Sequence, residues 1–273
     1  ASYNMETRAF LGHFLKMVEL EQEHLNGAVP FFAPFPKVAD RDAQNPFLNS
    51  AGAAVWGDAA TVLPMTLFRH FRDQGLLNSH LSLMMNWVDY IYRQDEERGG
   101  KRLWDFGFQL GDWLALDLGI PGTVFGATDS ALIATIYYYY SASNTAKALK
   151  LLFSRMYYKL YGNGPIKREE NIAIEVIKML FCKIMDEIGP EDLCEFRATP
   201  VELASADGKK AIKARIEKLY DKLLKDPDFG TMFKGERLEY DEEWIAYIVS
   251  ELQGIALMHE ETNTDALGDA YEI

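Results

Sequence analysis

The sequence predicts an all-α chain, and three observations carry that expectation. Apolar residues recur at three- and four-residue steps through most of the length. Asp and Thr residues precede those runs, where helices would begin. No run alternates apolar and polar residues convincingly, with one weak strand candidate around 103–108.

Taken in order, residues 5–25 place Phe10, Phe14, Met17, Val18 and Leu25 at helical spacing. Residues 26–55 form a long loop, marked by Pro30, Pro34, Pro36, Pro46, Asn45, Asn49 and Gly52; a loop of that length is more often functional than idle. A helix follows from Asp58, a candidate N-cap, to Arg72. The next, Asn78 to Glu96, carries the stripe Leu81, Met84, Met85, Val88, Ile91 and Tyr92, and Arg98–Lys101 makes a turn. Leu103–Leu118 is loop with at most one helical turn, and Asp129 caps a helix running through Ala148 or beyond. After a break at Gly162–Pro165, helices span about 166–188, 207–225, 241–258 and 264–271. Thr199-Pro200-Val201-Glu202 fits a short capped helix, and Asp241 caps the helix bearing Trp244, Ile245, Ile248, Val249 and Leu252.

Composition excludes several classes. The chain has 273 residues, a net charge of −13 and 48% hydrophobic residues. Disorder and collagen-like structure do not fit that content. The negative charge argues against a free-standing nucleic-acid binder, because phosphate contacts need clustered Lys and Arg. No stretch is apolar for long enough to span a bilayer. Cys182 and Cys194 support neither a disulfide framework nor a four-ligand zinc site, so buried free thiols in a reducing, cytoplasmic setting are expected. No cofactor and no metal are expected. Met258–Asn263 has Asn263 where a zinc-protease helix needs its second His, and Asp228-Phe229-Gly230 lacks the other kinase motifs.

The chain changes character near residue 150. Residues 1–150 hold 12 Lys and Arg against 16 Asp and Glu, while 151–273 hold 16 against 25. Four of the five Trp and eleven of the sixteen Phe fall in the first part. Two domains are therefore expected, 1–150 and 151–273, with no linker between them and a helical pattern running across the change.

Two segments suggest chemistry. Val55-Trp56-Gly57-Asp58-Ala59-Ala60 and Leu110-Gly111-Asp112-Trp113-Leu114 each set a carboxylate beside a Trp and a Gly at a loop-to-helix junction. Carboxylates accept hydrogen bonds from sugar hydroxyls, and an indole face covers the C–H face of a pyranose. The alternative, an N-cap Asp beside a core Trp, stays open on the residues alone.

The strings SYNMETRAF, AVWGDAATVLPMTLF, NWVDYIYRQDEERGGKRLWDFGFQLGDWLALD and FGATDSALIATIYYYYSASNTAKAL resemble the catalytic domain of family 78 glycoside hydrolases over about residues 1–149. The resemblance implies helical hairpins of an (α/α)6 barrel, inverting hydrolysis of terminal α-L-rhamnosides, and a rhamnose subsite lined by Trp56, Asp58, Asp112 and Trp113. In that family the general acid lies in an Arg-Asp-Glu-Arg type segment just before the equivalent of SYNM, and the general base in later barrel helices. Neither is expected in this chain, so the resemblance implies no hydrolysis by it. Asp95-Glu96-Glu97 reads as a solvated charge run rather than a substitute.

From residue 152 the strings MYYKLYGNGPIKREENIAIEVIKMLFCKIMDEIG, EFRATPVEL, IEKLYDKLLKDPDFG and the closing LEYDEEWIAYIVSELQGIALMHEETNTDALGDAYEI resemble the helical N-terminal region of N6-adenine DNA methyltransferases of type I restriction–modification systems. The resemblance implies a bundle-like helical region whose partners are a specificity subunit and, only with domains beyond these residues, DNA. Its S-adenosylmethionine and Asn-Pro-Pro-aromatic motifs do not occur here, and Lys167-Arg168 reads as ordinary charges of a first helical turn. The expectation is a chimeric fragment, natural or artefactual, prone to self-association through faces other helices would cover.

Overall fold

The computed structural model describes residues 6–35, 51–114, 125–189 and 194–257. Among them the regular structure is all helical. Two isolated antiparallel bridges, Pro30 with Ala51 and Trp113 with Phe125, are the nearest approach to a sheet, and 103–108 forms no strand. The chain divides into two compact units, Ala1–Lys150 and Leu151–Ile273.

The first unit contains α1 (Arg8–Glu23), α2 (Ala59–Phe71), α3 (Gln74–Ser79), α4 (Leu81–Glu96) and the start of α5 (Ser130–Asn163). Helix α1 packs against α2 and α4, and α2 against α3 and α4. Their shared core holds Leu15, Val18, Leu67, Leu83, Trp87, Ile91, Trp104, Ala134 and Tyr138. The helix expected from Asn78 begins at Leu81, because Asn78 and Ser79 end a separate short helix, α3, which Asp73 starts by accepting from Leu76 N at 3.0 Å. The buried face of α4 runs through Leu81, Leu83, Met84, Trp87, Ile91 and Asp95; Leu81, Met84 and Ile91 of the expected stripe lie on it, while Met85, Val88 and Tyr92 are half-buried beside it. Asp95 is therefore not solvated. Its carboxylate accepts from Arg102 N at 2.9 Å and from the Arg102 guanidinium at 3.0 Å, while Glu96 and Glu97 stay exposed. On α1 the inward residues are Leu15, Val18, Glu19 and Gln22, and Phe10, expected inside, is 73% exposed. Asp129 caps α5 as expected, accepting from Leu132 N at 3.0 Å. Of the four consecutive tyrosines, Tyr138 is buried and Tyr139 exposed.

The second unit holds the end of α5, α6 (Glu169–Glu187), α7 (Pro200–Leu203), α8 (Ala206–Leu223) and α9 (Glu242–Leu252). Helix α8 is its centre, packed by α6, α7 and α9. Its inward residues Ile212, Ile216, Leu219, Tyr220 and Leu223 follow the helical period. Thr199 and Glu202 form the reciprocal capping box, and Asp241 caps α9 by accepting from Glu243 N and Trp244 N. Lys178 and Glu175 are a buried ion pair at 2.7 Å. Lys178 Nζ also donates to Arg237 O, and Glu175 accepts from Glu239 N, so the pair ties the 237–239 segment to α6. Lys167 Nζ donates to the carbonyls of Tyr161 and Gly162 at the end of α5, which gives that basic residue a structural partner. Cys182 is buried, but Cys194 is exposed, its thiol donating to Asp186 Oδ2 at 3.3 Å. The expected helix 264–271 and the Met258–Asn263 segment lie outside the described residues. No helix among the described residues is long and apolar enough to cross a membrane.

Candidate functional site

Trp56 stands in the turn that leads into α2, and the next two residues show why that turn has its composition. Gly57 faces the Trp87 ring so closely that any Cβ there would collide with it. Asp58 follows, fully buried. It occupies the N-cap position of α2 but makes no cap hydrogen bond with its side chain. Instead Asp58 Oδ1 accepts from Trp87 Nε1 at 2.9 Å and from the Ser141 hydroxyl, and Oδ2 accepts from Val55 N at 2.7 Å. Thr61 Oγ1 lies 2.6 Å from Ser141 Oγ and completes the network. Burial pushes the Asp58 carboxyl above its ordinary range, and the bonds from Ser141, Trp87 and Val55 oppose that shift.

The bond to Val55 N has a conformational role. Val55 has φ 71°, left-handed backbone that a β-branched residue adopts only when its surroundings impose it. Asp58 therefore fixes the backbone immediately before Trp56. The second Trp is set similarly. Leu114, after Trp113, has φ 61°, and Gly111 has φ 57° with its Cβ position 3.0 Å from Ser130 Cβ. Asp112 O accepts from Gly126 N at 2.6 Å, and Asp112 Oδ2 accepts from the Thr128 hydroxyl at 3.1 Å.

The two loops meet. Gln109 Oε1 accepts from Ala54 N at 2.8 Å, joining the Trp113 loop to the Trp56 turn. The indoles of Trp56 and Trp113 lie 5.7 Å apart between centroids, tilted by 53°. Both are half-buried over a small core of Phe31, Ala53 and Leu110. Phe31 lies 4.9 Å from Trp56, Phe32 stands edge-on to Trp56 at 6.4 Å, and Phe108 is 6.2 Å from Phe31.

Of the four residues expected to line a sugar site, the structure thus brings Trp56 and Trp113 into contact and leaves Asp112 half-buried beside them. It places Asp58 underneath, with no surface to offer and its carboxylate oxygens engaged by three donors. Gln109, Ser141, Phe31 and Phe32 were not picked out from the sequence. Only the adjacent Phe31 and Phe32 in the Pro-flanked loop carried a signal. Among the described residues no group of three or more His, Cys, Asp or Glu is placed to hold a metal ion.

Part of the chain is similar to known proteins. An α-L-rhamnosidase of Alteromonas sp. (strain LOR) is 30% identical over 155 residues, which are 56% of this chain and 15% of that protein. One from Formosa agariphila is 25% identical over 150 residues, 55% of this chain and 14% of that protein. The chain thus spans about one seventh of the length of these curated relatives. The crystal structure of a native α-L-rhamnosidase from Aspergillus terreus aligns with a TM-score of 0.44 and 20% identity, covering 97% of this chain and 29% of that one. The family described as the bacterial α-L-rhamnosidase six-hairpin glycosidase domain matches residues 1–172. That match passes the unit division, so residues 152–172, expected to resemble a methyltransferase, fall within the glycosidase family's range. With well over half of its length matched, the chain belongs to the bacterial α-L-rhamnosidase six-hairpin glycosidase domain family.

Proposed function

We propose that the first unit supplies the sugar-binding platform of an α-L-rhamnosidase-type glycosidase, taking the rhamnose ring of a rhamnose-containing glycoside. The observation that carries this reading is the pair of half-buried indoles 5.7 Å apart, each flanked by a left-handed, non-glycine residue. Strained backbone of this kind is retained where a side chain must be held in one orientation. Trp56 and Trp113 cover the apolar ring face, Asp112 accepts from ring hydroxyls, and Asp58 acts from below as a positioning residue. No residue of this chain is assigned as general acid or general base. Asp95 and Glu96 are ion-paired with Arg102. The test is titration with L-rhamnose followed by Trp fluorescence and melting temperature. Saturable changes that disappear in W56A and W113A support the reading, and no change in the wild-type chain sinks it.

A second reading concerns residues 173–273, which lie beyond the glycosidase family match and include most of a separately packed helical unit. By the resemblance described above, this unit is proposed as the helical interaction module of an N6-adenine DNA methyltransferase, its partner the specificity subunit of the same system. A pull-down with that subunit tests it, and failure to capture would count against it.

A further inference from the structure

We infer that the cavity between α1 and the start of α4 binds an oxyanion, a phosphate or carboxylate group, through His80, Lys16, Arg8 and His13. It shares no residue with the Trp56–Trp113 platform and stands apart from the rhamnoside reading. The cavity has a volume of about 550 Å³. Arg8, His13 and Lys16 line it from α1, and Asp73, Ser79 and His80 line it from the chain between α2 and α4. Four nitrogen-bearing side chains against one carboxylate run counter to the balance of a chain with net charge −13. A local cluster of that sign concentrates anions that the net charge would repel.

His80 points to a ligand. It is 4% exposed, and among the described residues its Nδ1 has no hydrogen-bond partner. Buried polar side chains are ordinarily paired, and one left unpaired costs free energy that a purely structural role does not require. His80 also holds the N-cap position of α4, yet its side chain makes no cap hydrogen bond. The first turn of that 16-residue helix has no acidic residue. The positive end of the helix dipole therefore begins at the cavity wall without a counter-charge on its own helix, and it favours an anion. The Lys16 charge acts on the same ring: after burial, the larger cause, it helps hold His80 down at about 4. At neutral pH the ring is uncharged and offers an N–H, and an oxyanion received between it and Lys16 satisfies both. Lys16 pairs with Glu19 at 2.8 Å and Arg8 with Asp73 at 3.3 Å. Both cations are about half exposed, and pairs of that kind are weak enough to be shared with a ligand.

The experiment is calorimetric titration of the full chain at neutral pH with inorganic phosphate and, separately, with acetate, chloride keeping the ionic strength constant. Saturable one-to-one binding supports the inference, and the anion that binds tighter identifies the group as phosphate or carboxylate. His80→Leu keeps the bulk and removes both ring nitrogens, so it should weaken that binding about tenfold, the worth of one hydrogen bond to an ion. Lys16→Gln removes the charge while leaving an amide donor for Glu19, and should weaken it about threefold. Lys16 is exposed, so this variant keeps the test decisive if His80→Leu does not fold. Neither anion saturating in the wild-type chain overturns the inference. Binding that both variants leave unchanged overturns it too, since the ion is then held elsewhere.

Discussion

Replacing Asp58 by Ala tests the whole account of the Trp56 turn. The side chain is fully buried and accepts from Trp87 Nε1, Val55 N and the Ser141 hydroxyl. Ser141 can turn to Thr61, 2.6 Å away, so its loss is small. Trp87 Nε1, which is buried, and Val55 N, which is part-buried, cannot turn; a buried donor left without an acceptor costs about 1–3 kcal/mol, and the part-buried one less. Removing a desolvated carboxylate returns part of that, leaving D58A less stable by about 3 kcal/mol. Asp58→Asn keeps the shape but has one acceptor oxygen. Its amide must point donor against donor, either at Val55 N or at Trp87, at about 2 kcal/mol. Urea unfolding with unchanged slope measures both. The pH dependence has a definite sign. Burial raises the Asp58 carboxyl above the ordinary carboxylate range, so as pH falls the native state binds the proton before the unfolded chain does. Its contribution is then greatest at acid pH and declines as pH rises through the folded value. The stability of wild type relative to D58N should be larger at pH 4 than at pH 8. A D58A variant within about 0.5 kcal/mol of wild type would refute the argument, since a small loss means those donors are not dry.

The remaining predictions concern strain, titration, a buried pair and association. Val55→Gly removes a left-handed penalty of about 1–2 kcal/mol against a chain-entropy cost of about 0.5–1, so its melting temperature should rise slightly while rhamnose binding weakens; a fall in melting temperature would show that Val55 is unstrained. His80 is buried, and burial first and Lys16 second hold it down at about 4 instead of 6.5. The unfolded chain therefore takes the proton first, and wild type should lose up to about 3 kcal/mol between pH 6.5 and 4 that His80→Asn does not lose; parallel stability curves for the two would rule this out. Lys178→Met strands the buried Glu175 charge and should cost about 3–5 kcal/mol in denaturant titration, with Glu175→Leu added to it recovering part; a Lys178→Met chain as stable as wild type would mean the pair is wet. Phe10, Met17 and Leu20 share an exposed face of α1, so sedimentation should show association that grows with concentration and is reversed by F10E/L20E; a wild-type monomer throughout would contradict it.

What the sequence discloses of this fold depends on how far apart the interacting residues are. Caps and short-range periods are legible. Asp129, Thr199 with Glu202, and Asp241 each act within three residues, and each performs its expected role. The inward faces of α8 and α9 follow directly from apolar spacing. Helix α1 is harder, because its period admits two phases. The choice is made by Gln22, whose side chain donates to Leu83 O from 61 residues away, turning Phe10 outward. A polar residue chosen for burial by a distant carbonyl leaves no local trace.

The Trp56-Gly57-Asp58 motif shows the same limit at the candidate site. Read locally, it is either a sugar-binding pair or a capped helix start, and the structure makes it neither in full. Asp58 is turned inward by partners 29 and 83 residues away, Trp87 and Ser141. Gly57 is required by the same Trp87 ring. Two of the three residues thus serve a second tryptophan that the motif does not contain, and only Trp56 is left facing the candidate site. The consequence is a division of labour that a local reading merges. A carboxylate beside an exposed indole need not touch the ligand; by holding Val55 left-handed, it can decide where the indole points. On this argument, substitutions at Asp58 should weaken rhamnose binding only insofar as they release Val55, and V55G should weaken it with Asp58 intact.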